Sequence, residues 1–283
     1  MAEEERSTCA SASSCSRESC EGCPSASKEN ADPFKVDLNP YSEIKHVIGV
    51  VSGKGGVGKS LVTAMLANEM AYRGFRVGIM DADITGPSIP KMYGLTEKVP
   101  ATENGMLPIL TENDIKVMSL NLLVPDPEQA VVWRGPVIAG VVKQFWSDVI
   151  WGELDYLFVD MPPGTGDVPL TVFQSLPVEG ILVVTSPQDL VHLIVKKALN
   201  MAQLMNIPVL GVIENYSYLQ CPDCGKKIQV FGESHIEEEA ARLSLPIGGR
   251  IPIDPALAAA ADEGAFALVK NDYLSDAVAL ICS

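Results

Sequence analysis

From residue 45 onward, short apolar runs alternate with longer stretches of helical spacing. HVIGVV (46–51), RVGIMD (76–81), DYLFVD (155–160), GILVVT (180–185) and PVLGVIEN (208–215) are continuous apolar runs that end in polar or glycine residues. Such runs are the pattern of strands buried on both faces. Between them lie apolar positions at helical spacing: 61–73, closed by Gly74, and about 136–151, 168–176, 189–205 and 235–243. GPSIPKMYGL predicts a further short helix, and LSDAVALICS a terminal one. Strands that alternate with helices predict an α/β fold, a mostly parallel, doubly wound sheet with helices on both faces. Ligands of such sheets sit at the carboxyl ends of the strands.

Residues 1–44 break this pattern. They carry few apolar residues (Phe34, Val36, Leu38, Tyr41 and Ile44) and are rich in Ser, Glu and Cys. A tail without a packed fold is expected there, ahead of one catalytic domain over 45–283. The opening MAEEERSTCAS has no apolar core of a leader peptide, so secretion is not expected.

Composition narrows the function. The 283 residues are 47% hydrophobic and only 6% aromatic, enough for one large aliphatic core. The formal net charge of -15 argues against sequence-independent nucleic-acid binding and against attraction to anionic membranes. No apolar stretch approaches the ~18–20 residues of a membrane span. A cytoplasmic protein is expected. The seven cysteines are clustered: Cys9, Cys15, Cys20 and Cys23, then Cys221 and Cys224, then Cys282. An odd, clustered set points to metal or redox chemistry rather than to a disulfide framework. Cys282, in the terminal helix, is expected to be a packed thiol. His46, His192 and His235 have no ligand spacing and read as ordinary surface or core residues.

The first apolar run leads straight into GKGGVGKS (53–60), which satisfies G-x-x-x-x-G-K-[ST] between a strand and a helix. Gly53, Gly55, Gly56, Val57 and Gly58 would curl backbone amides around phosphate oxygens at a helix N-terminus. Lys59 would reach the β/γ phosphates and Ser60 would ligate magnesium. Asp160 ends its apolar strand and would hold magnesium, with Gly164 and Gly166 letting the backbone approach the γ-phosphate. Asp81 and Asp83, one residue apart, project to opposite faces of an extended chain, so only one easily faces a nucleotide.

The second lysine, Lys54, gives the loop a resemblance to the deviant Walker A of the SIMIBI ATPases: the MinD/ParA proteins, the nitrogenase iron protein, and the arsenical-pump and tail-anchor ATPases. The resemblance implies a P-loop NTPase fold and slow ATP hydrolysis. It implies that Lys54 reaches across a nucleotide-sandwich homodimer to the partner's phosphate, as an arginine finger does elsewhere. DADITGPS (81–88) resembles switch I, in which Asp83 would position the attacking water and Asp81 support the magnesium shell. Asn215 in IENYS (213–217) and Asp254 in IPIDP (251–255) resemble the group's adenine-side residues.

CPDCG (221–225) places two thiols in a polar hairpin near 216–230, half of a tetrahedral site. Two copies meeting at a two-fold axis would supply four thiolates, which suit a [4Fe–4S] cluster or zinc. With GKGGVGKS, DADITGPS, WRGP (133–136), DYLFVDMPPGTGD, ENYSY and IPIDP, the hairpin makes 45–283 similar to the Mrp/Nbp-type (ApbC-like) iron–sulfur cluster carrier ATPases. That resemblance implies a homodimer that bridges a [4Fe–4S] cluster on Cys221 and Cys224, uses ATP and Mg2+, and passes the cluster to apo iron–sulfur proteins. Eukaryotic cytosolic members of the Nbp type carry an N-terminal four-cysteine motif. The C-x5-C-x4-C-x2-C spacing at 9, 15, 20 and 23 departs from theirs, so a tail cluster, a zinc site and a docking tail all stay open. Arg134 is a candidate phosphate or interface residue, with a buried salt bridge as the alternative.

Three other readings compete. A MinD/ParA-type positioning ATPase would need a basic amphipathic C-terminus or a basic surface, and KNDYLSDAVALICS has one lysine. A zinc-bridged tail-anchor or arsenical chaperone would need a Met-rich helical insertion. A nitrogenase-type reductase would use well-separated single cysteines.

Overall fold

The computed structural model describes residues 34–83, 88–124, 135–187 and 191–283. The tail cysteines Cys9, Cys15, Cys20 and Cys23, the segment 84–87 of DADITGPS, and Trp133 and Arg134 of WRGP lie outside the described residues. The chain divides between Lys35 and Val36 into two units. The described elements all belong to the second.

In chain order these are β1 (Glu43–Ser52), α1 (Lys59–Tyr72), β2 (Val77–Asp81), α2 (Ser88–Met92), β3 (Ala101–Thr102), β4 (Gly105–Met106), β5 (Ile109–Leu110), β6 (Lys116–Ser119), α3 (Gly135–Ser147), β7 (Glu153–Asp160), α4 (Asp167–Ser175), β8 (Gly180–Thr185), α5 (Val191–Leu204), β9 (Val209–Glu214), β10 (Leu219–Gln220), β11 (Lys227–Ile228), α6 (Ile236–Leu243), β12 (Ile247–Arg250), α7 (Pro255–Asp262) and α8 (Ser275–Ile281). One eight-stranded sheet runs in the order β12-β9-β8-β1-β7-β2-β6-β5. All its pairings are parallel except the edge pair of β5 with β6. β3 with β4 and β10 with β11 form two separate hairpins.

The continuous apolar runs make sense in this sheet because successive residues feed opposite cores. Val47, Val51, Leu157, Val159 and Val183 pack with residues of α3, α4, α5 and α6 on one face. Ile48, Val50, Phe158, Leu182 and Val184 pack with residues of α1, α2, α7 and α8 on the other. Every residue of β2 and β8 is buried. With both faces covered, a polar residue survives only where the strand ends. Register aligns those ends: Asp81 lies opposite Asp160, and Thr185 opposite Glu214.

The compact unit begins earlier than composition implies. The Val36 N–H donates to the Ser175 carbonyl at 3.1 Å, and the Trp146 indole donates to the Val36 carbonyl at 2.9 Å. The sparse apolar residues Val36 and Leu38 alternate, so an extended segment presents both to the core. Cys282 is a second difference. α8 buries Ala277 and Val278 and stops at Ile281, so Cys282 falls just past the helix and is exposed rather than packed. Among the described residues, no helix is long and apolar enough to cross a membrane.

Candidate functional site

The loop after β1 opens α1 through glycine. Gly56 and Gly58 have φ of 79° and 81°, the left-handed region that side chains resist. Gly58 is the N-cap and no side chain caps it, so the first-turn amides and the positive helix end are left to a ligand. A Cβ on Gly58 would also come within 2.1 Å of the Asn215 amide nitrogen. A cavity of about 610 Å³ lies over the loop. Its walls include Gly55, Lys59, Ser60, Asp83, Pro163, Asn215 and Asp254.

At its floor the strand-end carboxylates converge on one ammonium. Lys59 Nζ lies 2.7 Å from Asp160 Oδ1 and 3.3 Å from Asp83 Oδ2. The Ser60 hydroxyl donates to Asp160 Oδ2 at 2.6 Å, and the Thr63 hydroxyl lies 2.9 Å from Asp160 Oδ1. Asp160 is fully buried, and its charge is met by one cation and two hydroxyls. Burial alone would depress the Lys59 ammonium, but Asp160, then Asp83 and Asp81, hold its pKa above the ordinary lysine value. Asp81 faces away from the cavity. Its Oδ2 accepts from Ser119 Oγ at 2.8 Å and its Oδ1 from the Asp83 N–H at 3.1 Å. Burial, and then the like charge of Asp160, raise its pKa well above the usual carboxylate range. Asp83 is the member of the pair that lines the cavity.

The segment after β7 is tied to the loop: the Gly164 N–H donates to the Ser52 carbonyl at 2.8 Å, with Gly164 at φ 87°. Lys54 is exposed. Asn215 is buried. Its amide donates to the Val57 carbonyl at 2.9 Å, and its Oδ1 accepts from the Tyr216 N–H at 2.9 Å. Asp254 caps α7 through the Ala256 N–H at 2.9 Å and accepts from the Tyr273 hydroxyl at 3.3 Å.

Five residues past Tyr216, Cys221 opens the turn of the hairpin of β10 and β11. The Gly225 N–H donates to the Cys221 carbonyl and the Cys221 N–H to the Lys226 carbonyl, both at 2.9 Å, with Gly225 at φ 71°. This knuckle presents Cys221, half-buried, and Cys224, exposed. Amides of Cys224 and Asp223 lower the Cys221 thiol pKa. Among the described residues, no group of three or more Cys, His, Asp or Glu is placed to hold a metal ion.

The family described as NUBPL iron-transfer P-loop NTPase, within the ParA group, matches residues 43–282. The chain belongs to this family. Proteins named iron–sulfur cluster carrier protein from Clostridium perfringens and Methanocaldococcus jannaschii are 48% and 47% identical to it, over 86% of this chain and 89% and 84% of theirs. An Archaeoglobus fulgidus nucleotide-binding protein solved in complex with ADP superposes with a TM-score of 0.74 at 44% identity, covering 81% of this chain and 90% of that one. The MinD cell division ATPase of Pyrococcus furiosus, at 21% identity and a TM-score of 0.55, shares the fold.

Within this NUBPL-type NTPase fold, Lys59, Ser60, Asp83 and Asp160 meet in one cluster, while Asn215, against the loop itself, and Asp254 also line the cavity. Cys221 and Cys224 stand on a separate hairpin, and Lys54 is exposed. His46 pairs with Glu179 at 2.8 Å and His235 with Glu238 at 3.5 Å. Thr63 and Ser119 were not legible as site residues. Thr63 has one usable signal, its position a helical turn after Lys59. Ser119 has none, because β6 is too short to recognise.

Proposed function

We propose that this chain is an ATP-dependent carrier of iron–sulfur clusters, with the cluster as cargo on Cys221 and Cys224 and ATP with Mg2+ in the glycine-loop cavity. One observation carries the reading: the strand end that walls the cavity at Asn215 and Tyr216 runs directly into the cysteine hairpin. The names of the relatives support the same cargo.

The donor set fits the ligands. Uncapped helix amides and glycines at φ near 80° suit phosphate oxygens. A serine hydroxyl against a buried carboxylate suits a hard cation that keeps several waters. Magnesium would neutralise phosphate charge there. Lys59 is held on Asp160 and Asp83, from which it would transfer to the β/γ phosphates. Asp83, freed of the ammonium, would orient the attacking water. Exposed Lys54 would act on the nucleotide of a second copy, which makes hydrolysis slow until two chains face each other. Two thiolates per chain complete a [4Fe–4S] site only in a homodimer, and apo iron–sulfur proteins are the recipients. The tail cysteines are a candidate second metal site, and the protein is expected to work in the cytoplasm.

The test is anaerobic reconstitution with iron and sulfide, followed by metal and sulfide analysis and by transfer to an apo iron–sulfur protein with and without ATP. The Cys221→Ala/Cys224→Ala variant should lose the labile cluster and the dimer it bridges. Replacing Cys9, Cys15, Cys20 and Cys23 with serine counts any tail site. Zinc uptake without sulfide would overturn the cargo assignment and leave the ATPase intact.

A further inference from the structure

Glu214 is a buried carboxylate that the nucleotide chemistry leaves unused. It ends β9 and is 0% exposed. Both of its oxygens are occupied by serine hydroxyls: Ser217 Oγ donates to Oε2, and Ser234 Oγ to Oε1 at 2.7 Å. These serines are the two stems of one excursion. The chain leaves the body at Ser217, runs through Cys221 and Cys224, and returns at Ser234. Ser234 Oγ also accepts from the N–H of Ile236, the first residue of α6, at 3.3 Å. The outgoing stem is fastened again by backbone, from Ser217 N–H to the Ile251 carbonyl at 2.9 Å and from Ile253 N–H to the Tyr218 carbonyl at 2.7 Å. From 222 to 233 the excursion is exposed, so its base decides where the thiols sit. On the other side, the residue after Glu214 is Asn215, bonded to the Val57 carbonyl of the phosphate loop. Tyr216, at φ 58°, makes the sharp bend between loop contact and stem.

An apolar side chain at 214 would avoid the cost of desolvating a carboxylate, so stability alone does not account for a glutamate. We propose that Glu214 is a positioning residue that couples the nucleotide cavity to the cysteine hairpin. It holds both stems, so a shift of Asn215 against the phosphate loop moves Ser217 and Ser234, and with them Cys221 and Cys224. This deepens the proposed function and rests on it.

The experiment uses the full-length, reduced, metal-free chain. Alkylation rates of Cys221 and Cys224 by iodoacetamide are read peptide by peptide by mass spectrometry, with and without Mg2+ and a non-hydrolysable ATP analogue. In the wild type the nucleotide should change these rates by roughly 5-fold or more, the lower range of ordinary site–site coupling. In Ser217→Ala/Ser234→Ala the two rates should agree within about 1.5-fold while ADP affinity stays within about 2-fold of wild type, since the coupling and not the binding is removed. Ser234→Thr, which keeps the hydroxyl, should restore the response, an outcome a merely structural role would not produce. Ser234→Ala alone unties only the returning stem and should also lose the response, which keeps the test decisive if the double variant does not fold. A wild type indifferent to nucleotide, or serine-to-alanine variants that respond as the wild type does, would overturn the coupling. Iron and sulfide uptake by the same wild-type preparation would show that the carrier reading survives that failure.

Discussion

Removing the Lys59 ammonium should destabilise the nucleotide-free protein, quite apart from its effect on ATP. Asp160 is 0% exposed and Lys59 5%, and their atoms lie 2.7 Å apart. Breaking a buried pair by deleting one partner costs about 3–5 kcal/mol. Asp160 keeps the hydroxyls of Ser60 and Thr63, which places Lys59→Ala at the lower end, about 3 kcal/mol. At roughly 2–4 °C per kcal/mol for a domain of this size, the melting temperature should fall by roughly 6–12 °C. The deficit should depend on pH. Lys59 lowers the Asp81 pKa, which burial and Asp160 have already raised. Without it, the folded Asp81 pKa climbs further above its unfolded value. A carboxylate with a raised folded pKa contributes stability below its unfolded pKa and loses it as pH rises through the folded one. The deficit should therefore be larger at pH 8 than at pH 5. Calorimetry in EDTA, without nucleotide, at both values is the assay. A Lys59→Ala protein that melts within about 2 °C of wild type at pH 8, under 1 kcal/mol, would refute the reasoning. The carboxylates would then not depend on the ammonium.

Three further outcomes follow from the same cluster and loop. Asp81→Asn keeps the shape but removes a charge beside Asp160, so at pH 8 it should raise the melting temperature by roughly 2–4 °C, on the order of 1 kcal/mol, and the gain should shrink toward pH 4; a lower melting temperature at pH 8 would contradict it. Lys54→Ala should leave ADP affinity within about 3-fold of wild type yet lower kcat by roughly 10³-fold, the size of a charge supplied in trans, as phosphate release and calorimetric titration would show. Gly58→Ala forces a Cβ to 2.1 Å from the Asn215 amide at a φ of 81°, and should weaken ADP binding by at least about 10-fold (1.4 kcal/mol) in the same titration.

Much of this molecule was legible in its sequence because the signals were local. The five long strands are continuous apolar runs, and burial on both faces is the reason they are continuous. The phosphate loop and its following helix are read from glycines and one lysine at fixed spacing, since backbone curvature and a helix end are properties of neighbours in the chain. The placement of Cys221 and Cys224 on one turn is likewise short-range. What could not be read is what distant segments decide together. β12, the sequence IGGR, has too few side chains to announce a strand. It is one because it pairs in parallel with β9, and Gly248 lets it run beneath α8, where a Cβ would lie 3.0 Å from the Ala277 Cβ. The fate of Asp81 depended on Ser119, 38 residues away on a strand too short to recognise. The clamp on Glu214 joins serines 3 and 20 residues away. Sequence determined which chemical groups stand at the strand ends, because spacing along a chain is enough for that. Only the tertiary structure decided which of those groups share a charge, since burial and partners come from segments the sequence does not place side by side.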